Sequence, residues 1–171
     1  MPARSPRAKR VAPFSGELWI EREDFQQQPE KGYFRLFPGN EVRLRFGYVV
    51  KCIGMNDGVV HCTYHPDSKS GTPGADKYKV KGNIHWVSAR HAYAAEVCLY
   101  DRLFKVPEPG TDHDFLLDLN PESCRAIRAQ LEPSLANAQP EQSFQFERHG
   151  YFIRDRAGGF NRTVTLRDSW K

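Results

Sequence analysis

The stretch GNEVRLRF, residues 39–46, decides the fold prediction, because apolar and polar side chains alternate along it. Val42, Leu44 and Phe46 recur at every second position, which places them on one face of an extended chain. A period of two is typical of a β-strand that buries one face and leaves the other in water. We therefore predict a strand here, with these three side chains on its buried face.

The polar face of this predicted strand carries two arginines, Arg43 and Arg45. Residues two apart on a strand project from the same face, about 7 Å apart. A solvated outer face explains such a pair without any ligand, whereas a nucleic-acid contact explains it through the planar guanidinium groups. The local sequence leaves both interpretations open.

The rest of the chain has the same character: short segments rich in β-branched and aromatic residues, separated by turn formers. The tetrapeptide MNDG at 55–58 predicts a hairpin turn. Further strands are predicted at 17–23, 59–64, 79–88, 94–104, 143–148, 151–155 and 160–170. Helix signals are clear only at 106–123, where Asp112 or Asp114 can cap a short turn, and 123–131 is ambiguous. This pattern predicts an all-β chain of small antiparallel barrels or sandwiches.

Charge alone says little about a partner. The chain has 25 basic and 21 acidic side chains, and its first ten residues hold four of the basic ones and no acid. The other 161 residues therefore sum to zero, with 21 of each sign. No apolar run reaches the roughly 18 residues of a membrane span, so we expect a cytoplasmic protein without a membrane partner.

The sequence lacks motifs for catalysis or metal binding. It has no glycine-rich phosphate loop and no G-x-S-x-G elbow. The four cysteines, at positions 52, 62, 98 and 124, fit neither a disulfide framework nor a zinc module, which predicts reduced thiols. We therefore predict no catalytic residue and no metal ligand.

Several long motifs, in order, resemble the C-terminal anticodon-binding portion of glutaminyl-tRNA synthetases. They are KVKGNIHWVSARHA at 79–92, VCLYDRLFKVPEPG at 97–110, FQFERHGYF at 144–152 and FNRTVTLRDSW at 160–170. The resemblance runs from about residue 11 to the end. It implies two small antiparallel β-barrels with short helical turns, a distal one over 11–84 and a proximal one over 85–171, after a basic tail at 1–10.

The resemblance also implies a set of RNA-contacting residues. It assigns Arg35 to the third anticodon base, Arg43 with Arg45 to the first, and Gln145 with Arg148 to the middle one. Lys31, Tyr33 and Arg7 are further candidates. Arginine and glutamine suit this task because their fixed donors and acceptors match the edges of unstacked bases. Phe34 stands where relatives often carry a lysine.

The implied partners are the anticodon loop of tRNA(Gln) and the catalytic domain of a full-length synthetase, with the protein a monomer. That domain would use ATP and glutamine, and its HIGH-type and KMSKS-type signatures are absent here, so we expect the chain alone to be inactive. One alternative is a stand-alone β-barrel module, binding RNA or protein, that has lost anticodon specificity. Glutamate-specific relatives also remain open.

Four aromatic residues are predicted to fill the barrel cores rather than to stack on bases: Trp19, Trp86, Phe144 and Phe146. Trp86 closes the segment KGNIHW at 81–86, where the chain is expected to leave the distal barrel.

Overall fold

The computed structural model of the protein describes residues 11–166. Within that range the chain is all-β, as predicted, with short 3-10 turns and no α-helix. Arg7 lies outside the described residues. The strands are β1 Leu18–Ile20, β2 Glu41–Leu44, β3 Val49–Asn56, β4 Val59–Tyr64, β5 Gly82–Ile84, β6 Trp86–Ser88, β7 Tyr93–Tyr100, β8 Cys124–Leu131, β9 Ser143–Phe146, β10 Gly150–Arg154 and β11 Phe160–Val164.

The described residues divide into two compact units, Phe14–Arg90 and a second one that holds 91–166 together with 11–13. The boundary implied by the resemblance, at 84/85, lies earlier, between β5 and β6. In the first unit the strands form a sheet of order β4-β3-β2-β5 and a two-stranded sheet β1-β6. In the second unit they form one sheet of order β8-β7-β11-β10-β9. Most pairs are antiparallel, whereas β2–β5 and β7–β11 are parallel.

The core of the first unit confirms part of the opening prediction. Val42 and Leu44 are almost completely buried, and they pack with Leu36, Ile84 and Trp86. Trp86 is only 9% exposed, as predicted, and its indole nitrogen donates a hydrogen bond to a backbone carbonyl at 3.0 Å.

The opening prediction is wrong for Phe46, which is 69% exposed. The strand ends at Leu44 because the chain turns back there: the Gly47 amide donates to the Leu44 carbonyl at 2.7 Å, and the Leu44 amide donates to the Tyr48 carbonyl at 2.8 Å. Arg45 and Phe46 therefore lie in the turn between β2 and β3, where the alternation of a strand no longer applies.

The hairpin predicted at 55–58 is confirmed, since β3 and β4 pair on either side of Asp57 and Gly58. Both turn residues have positive φ, 49° and 77°, as the tight primed hairpin turns require. At Gly82 the backbone passes very close to that of Phe34, since a Cβ there would lie 2.1 Å from the Phe34 carbonyl oxygen.

Trp19 contradicts the core prediction, because it is 52% exposed. Among residues 11–166 its strand pairs only with β6, and a two-stranded sheet leaves one of its faces largely uncovered. Phe144 and Phe146 confirm the prediction in the second unit. Both pack against its core, where the ring of Phe146 stacks on that of Phe152 with centroids 4.3 Å apart.

Two further features settle the middle of the chain. The ambiguous segment 123–131 is a strand, because β8 pairs with β7 along its whole length. The segment 106–123 holds a single 3-10 turn, Phe115–Asp118, capped by the Asp114 side chain as predicted; its carboxylate accepts a hydrogen bond from the Leu116 amide at 3.0 Å.

Candidate nucleic-acid interface

Arg35 is held by a short acidic turn, Arg22–Asp24. Its guanidinium lies 3.2 Å from the completely buried Asp24 carboxylate and donates to the Glu23 carbonyl at 3.3 Å. The turn itself is fixed to the segment that carries Arg35, since the Leu36 amide donates to the Asp24 carbonyl at 2.9 Å. The Arg35 side chain remains 37% exposed, so the Asp24 carboxylate orients the guanidinium while part of it still faces water.

Tyr33 converges on the same turn, because its hydroxyl donates to the Glu23 carbonyl at 3.0 Å. Burial, followed by the nearby Asp24 carboxylate, raises the pKa of the Tyr33 hydroxyl, which therefore stays protonated and acts as a donor. Lys31, two residues earlier, is exposed. The structure thus brings Tyr33 and Arg35 together and leaves Lys31 beside them in solvent.

The Arg43 guanidinium is hydrogen-bonded within its own unit, an environment that neither of the two interpretations of the strand pattern included. Its two terminal nitrogens donate to the loop between β4 and β5: one to the carbonyl of Ser68 at 2.6 Å and the hydroxyl of Ser70 at 3.4 Å, the other to the carbonyls of Ala75 and Tyr78 at 3.1 and 3.2 Å. A guanidinium carries four hydrogens on these two nitrogens, and four acceptors surround them. Arg43 therefore organises the loop 65–78.

Arg45 lies in the β2–β3 turn, whose backbone is tied to the rest of the unit. Its amide donates to the Ile84 carbonyl at 2.9 Å, and its carbonyl accepts from the Trp86 indole at 3.0 Å. The guanidinium carbon lies 5.0 Å from the ring centroid of Phe46, within the range of a cation–π contact. Arg43 and Arg45 are thus close in sequence, but Arg43 bonds to the loop 65–78 whereas Arg45 lies against the Phe46 ring.

Gln145 and Arg148 lie in the β9–β10 hairpin of the second unit. Gln145 is exposed on the outer face of β9, directly opposite the exposed Tyr151 in the antiparallel register. Arg148 is in the turn, with φ of 68°, and the His149 amide closes that turn on the Phe146 carbonyl at 3.0 Å. The hairpin therefore carries three exposed polar side chains, the amide of Gln145, the guanidinium of Arg148 and the phenol of Tyr151.

Sequence reasoning missed three groups beside these candidates. Asp24 holds Arg35, Phe46 lies against Arg45, and Lys81 extends over the Phe34 ring with its ammonium 5.1 Å from the centroid. Gly47, a turn former directly after the alternating stretch, is a local signal that could have placed Phe46 in a turn. Nothing in the local pattern links Lys81 to Phe34, because the two residues meet where the neighbouring Gly82 passes close to the Phe34 backbone.

Within residues 11–166, no cluster of histidine, cysteine and acidic side chains has the makings of a metal site. The same range contains no helix of the length and apolarity needed to cross a membrane.

Comparison with protein families gives two matches. Residues 1–65 and 83–155 each match a family described as tRNA synthetases class I (E and Q), anti-codon binding domain. Together the two matches take in most of the chain.

Curated relatives give the same result in more detail. The chain is 59% identical to the glutamine–tRNA ligase of Cupriavidus metallidurans, in a match that covers 99% of this chain and 31% of that protein. It is 59% identical to the ligase of Ralstonia nicotianae, over 95% of this chain and 30% of that protein, and 53% identical to that of Nitrosomonas europaea, over 91% and 30%. The chain thus spans about a third of the length of the curated relatives it matches.

Proposed function

Since the chain belongs to the anticodon-binding domain family of class I tRNA synthetases for glutamate and glutamine, we propose that it binds the anticodon of tRNA(Gln) as the C-terminal part of a glutamine–tRNA ligase. The observation that carries this proposal is the 59% identity to glutamine–tRNA ligase over 99% of the chain. The same identity favours glutamine over glutamate as the cognate amino acid. It gives no support to a stand-alone module that has lost anticodon specificity.

In this proposal Arg35 and Arg45 face the third and first anticodon bases. Arg35 is fixed by a buried carboxylate, and the backbone of Arg45 is fixed by two hydrogen bonds. Binding orders flexible side chains at a cost of roughly 0.5–1.5 kcal/mol each, so side chains that are already positioned lose less on meeting RNA. Tyr33 and Lys31 assist Arg35 through a hydroxyl and a mobile positive charge.

Arg43 acts in this proposal as a positioning residue. Its donors are taken by the loop 65–78, and that loop in turn supports the β2–β3 turn, because the Ser70 amide and hydroxyl both donate to the Gly47 carbonyl, at 2.9 and 3.1 Å. The resemblance assigned Arg43 to the first-base pocket, and the contacts support an indirect part there: it stabilises the turn that carries Arg45.

Gln145 and Arg148 read the middle base in this proposal. A primary amide both donates and accepts, as the edge of uracil requires, while a guanidinium supplies further donors to carbonyl or phosphate oxygens. Their hairpin suits the role because β9 and β10 pair through four residues each, which fixes the turn that joins them.

The remainder of the synthetase supplies the chemistry in this proposal, using ATP and glutamine, and is the chain's protein partner. Because the catalytic signatures are absent from this sequence, we expect no glutamine-dependent exchange of pyrophosphate into ATP from the chain alone. Exchange above background, in a preparation free of full-length synthetase, would contradict the proposal that catalysis belongs to the remainder of the synthetase.

The base assignments are tested by pairing protein variants with RNA variants. We would measure the binding of wild type, Arg35→Ala, Arg45→Ala and Gln145→Ala to the tRNA(Gln) anticodon stem-loop and to three loops that each carry one altered base. Each variant should lose affinity for the cognate loop and lose discrimination only at its own base, by roughly 1–3 kcal/mol for a direct edge contact. Equal losses on all four loops would reduce that residue to a phosphate contact.

A further inference from the structure

Phe46 has two features that are unfavourable for a residue whose only role is to shape a turn. Its side chain is 69% exposed, and its backbone has φ of 58°. The left-handed region is disfavoured for bulky side chains and is normally occupied by glycine or asparagine. An exposed phenyl group adds unfavourable contact with water. The position is therefore occupied by a residue that folding alone does not favour.

The surrounding hydrogen bonds hold Phe46 in this conformation. On one side the Arg45 amide and carbonyl are bonded to Ile84 and Trp86. On the other side the Gly47 amide bonds to Leu44, and the Gly47 carbonyl accepts two bonds from Ser70. A strained residue that its surroundings hold in place is typical of a functional position. The ring is consequently presented to solvent by a backbone that has little freedom to withdraw it.

The ring also has a charged neighbour suited to RNA, because the guanidinium carbon of Arg45 lies 5.0 Å from its centroid. Unpaired bases are recognised by stacking on aromatic rings and guanidinium planes, combined with hydrogen bonds to the base edges. From this geometry we infer that Phe46 is a stacking platform for the unpaired RNA base that Arg45 contacts. This inference rests on the proposed function and adds a ligand-binding residue that family resemblance did not supply.

Other aromatic side chains of the same unit lack this combination. Trp19 is exposed, but it lies within a regular strand and has no positive φ. Tyr48 packs against Phe14 and Tyr64, with ring centroids 4.9 and 5.3 Å away. Trp19 is therefore a suitable control for the loss of an exposed aromatic ring as such.

The test measures both RNA binding and stability for three substitutions of Phe46. Phe46→Ala should weaken binding of the tRNA(Gln) anticodon stem-loop by about 5- to 150-fold, the range found when a stacking aromatic is removed. Phe46→Trp should bind within about threefold of wild type, because it keeps a ring. Phe46→Asn should lose affinity like the alanine variant but raise the midpoint of urea unfolding, because asparagine accepts a positive φ more readily.

The outcomes separate the platform from the proposed function. Trp19→Ala should leave RNA affinity within twofold. If wild type binds the cognate loop and Phe46→Ala binds it equally well, or if Phe46→Trp fails as badly as Phe46→Ala, the platform is refuted and the proposed function stands. If wild type does not distinguish the cognate loop from an unrelated one, the proposed function is refuted and the platform with it.

Discussion

Arg43 gives the sharpest prediction about stability, because its guanidinium is the common partner of a whole loop. In the wild type the Arg43 nitrogens lie 2.6–3.2 Å from the carbonyls of Ser68, Ala75 and Tyr78. Replacing Arg43 with alanine removes these donors. Hydrogen bonds to charged groups contribute about 1.5–3 kcal/mol each, and water reaches part of this site after the side chain is removed. The three losses overlap, so we expect a total of about 2–4 kcal/mol.

The measurement is urea unfolding followed by tryptophan fluorescence, which reports on this unit through the buried Trp86. Arg43→Lys should recover little of the loss, because one ammonium group cannot span acceptors arranged around a planar fork. Arg90→Ala removes an exposed arginine of the same unit and should change the free energy of unfolding by less than about 0.5 kcal/mol. A change equally small for Arg43→Ala would refute its role as organiser of the loop.

Three further substitutions test the fold. Trp86→Ala should cost about 3–5 kcal/mol in urea unfolding, as for other buried large aromatics, and a cost below about 1 kcal/mol would contradict its place in the core. Gly82→Ala should cost at least about 2 kcal/mol by the same assay, because its Cβ would lie 2.1 Å from a backbone oxygen; wild-type stability would contradict that close approach. The Gly110 amide and the His113 ring lower the pKa of Asp118, so its stabilising effect is present at neutral pH and is lost as the pH falls through that lowered value. Asp118→Asn should therefore make unfolding less sensitive to acid. An unchanged pH profile would contradict a stabilising role for the hydrogen bonds of Asp118 with Gly110 and His113.

The sequence predicted the regular parts of the molecule through local chemistry. Alternation along 41–44 identified Val42 and Leu44 as core residues, and the Asp57–Gly58 pair identified a hairpin. The same alternation failed at Phe46, because the turn closes through a hydrogen bond from Gly47 that competes with continuation of the strand. Trp19 was misjudged for a different reason: its burial depends on how many strands flank β1, which its own neighbours in sequence do not specify.

The candidate site was predictable in its residue types but not in its contacts. Family resemblance pointed to Arg35, Arg43 and Arg45 together. Only tertiary structure distinguishes Arg43, whose acceptors come from a loop more than twenty residues away, from Arg45, which lies against an aromatic ring. Hydrogen bonds between residues far apart in sequence leave no local pattern, so a strand diagram assigns both arginines to the same face.

The most direct test of anticodon recognition is the affinity of the wild-type chain for two RNAs, the tRNA(Gln) anticodon stem-loop and the same stem with all three anticodon bases replaced, each at two salt concentrations. A sequence-reading domain should prefer the cognate loop at both concentrations, since discrimination of roughly 1–3 kcal/mol per base edge does not depend on the phosphate contacts that salt weakens. Equal affinity for the two loops, falling together as salt rises, would contradict the account by showing binding to the phosphate backbone alone.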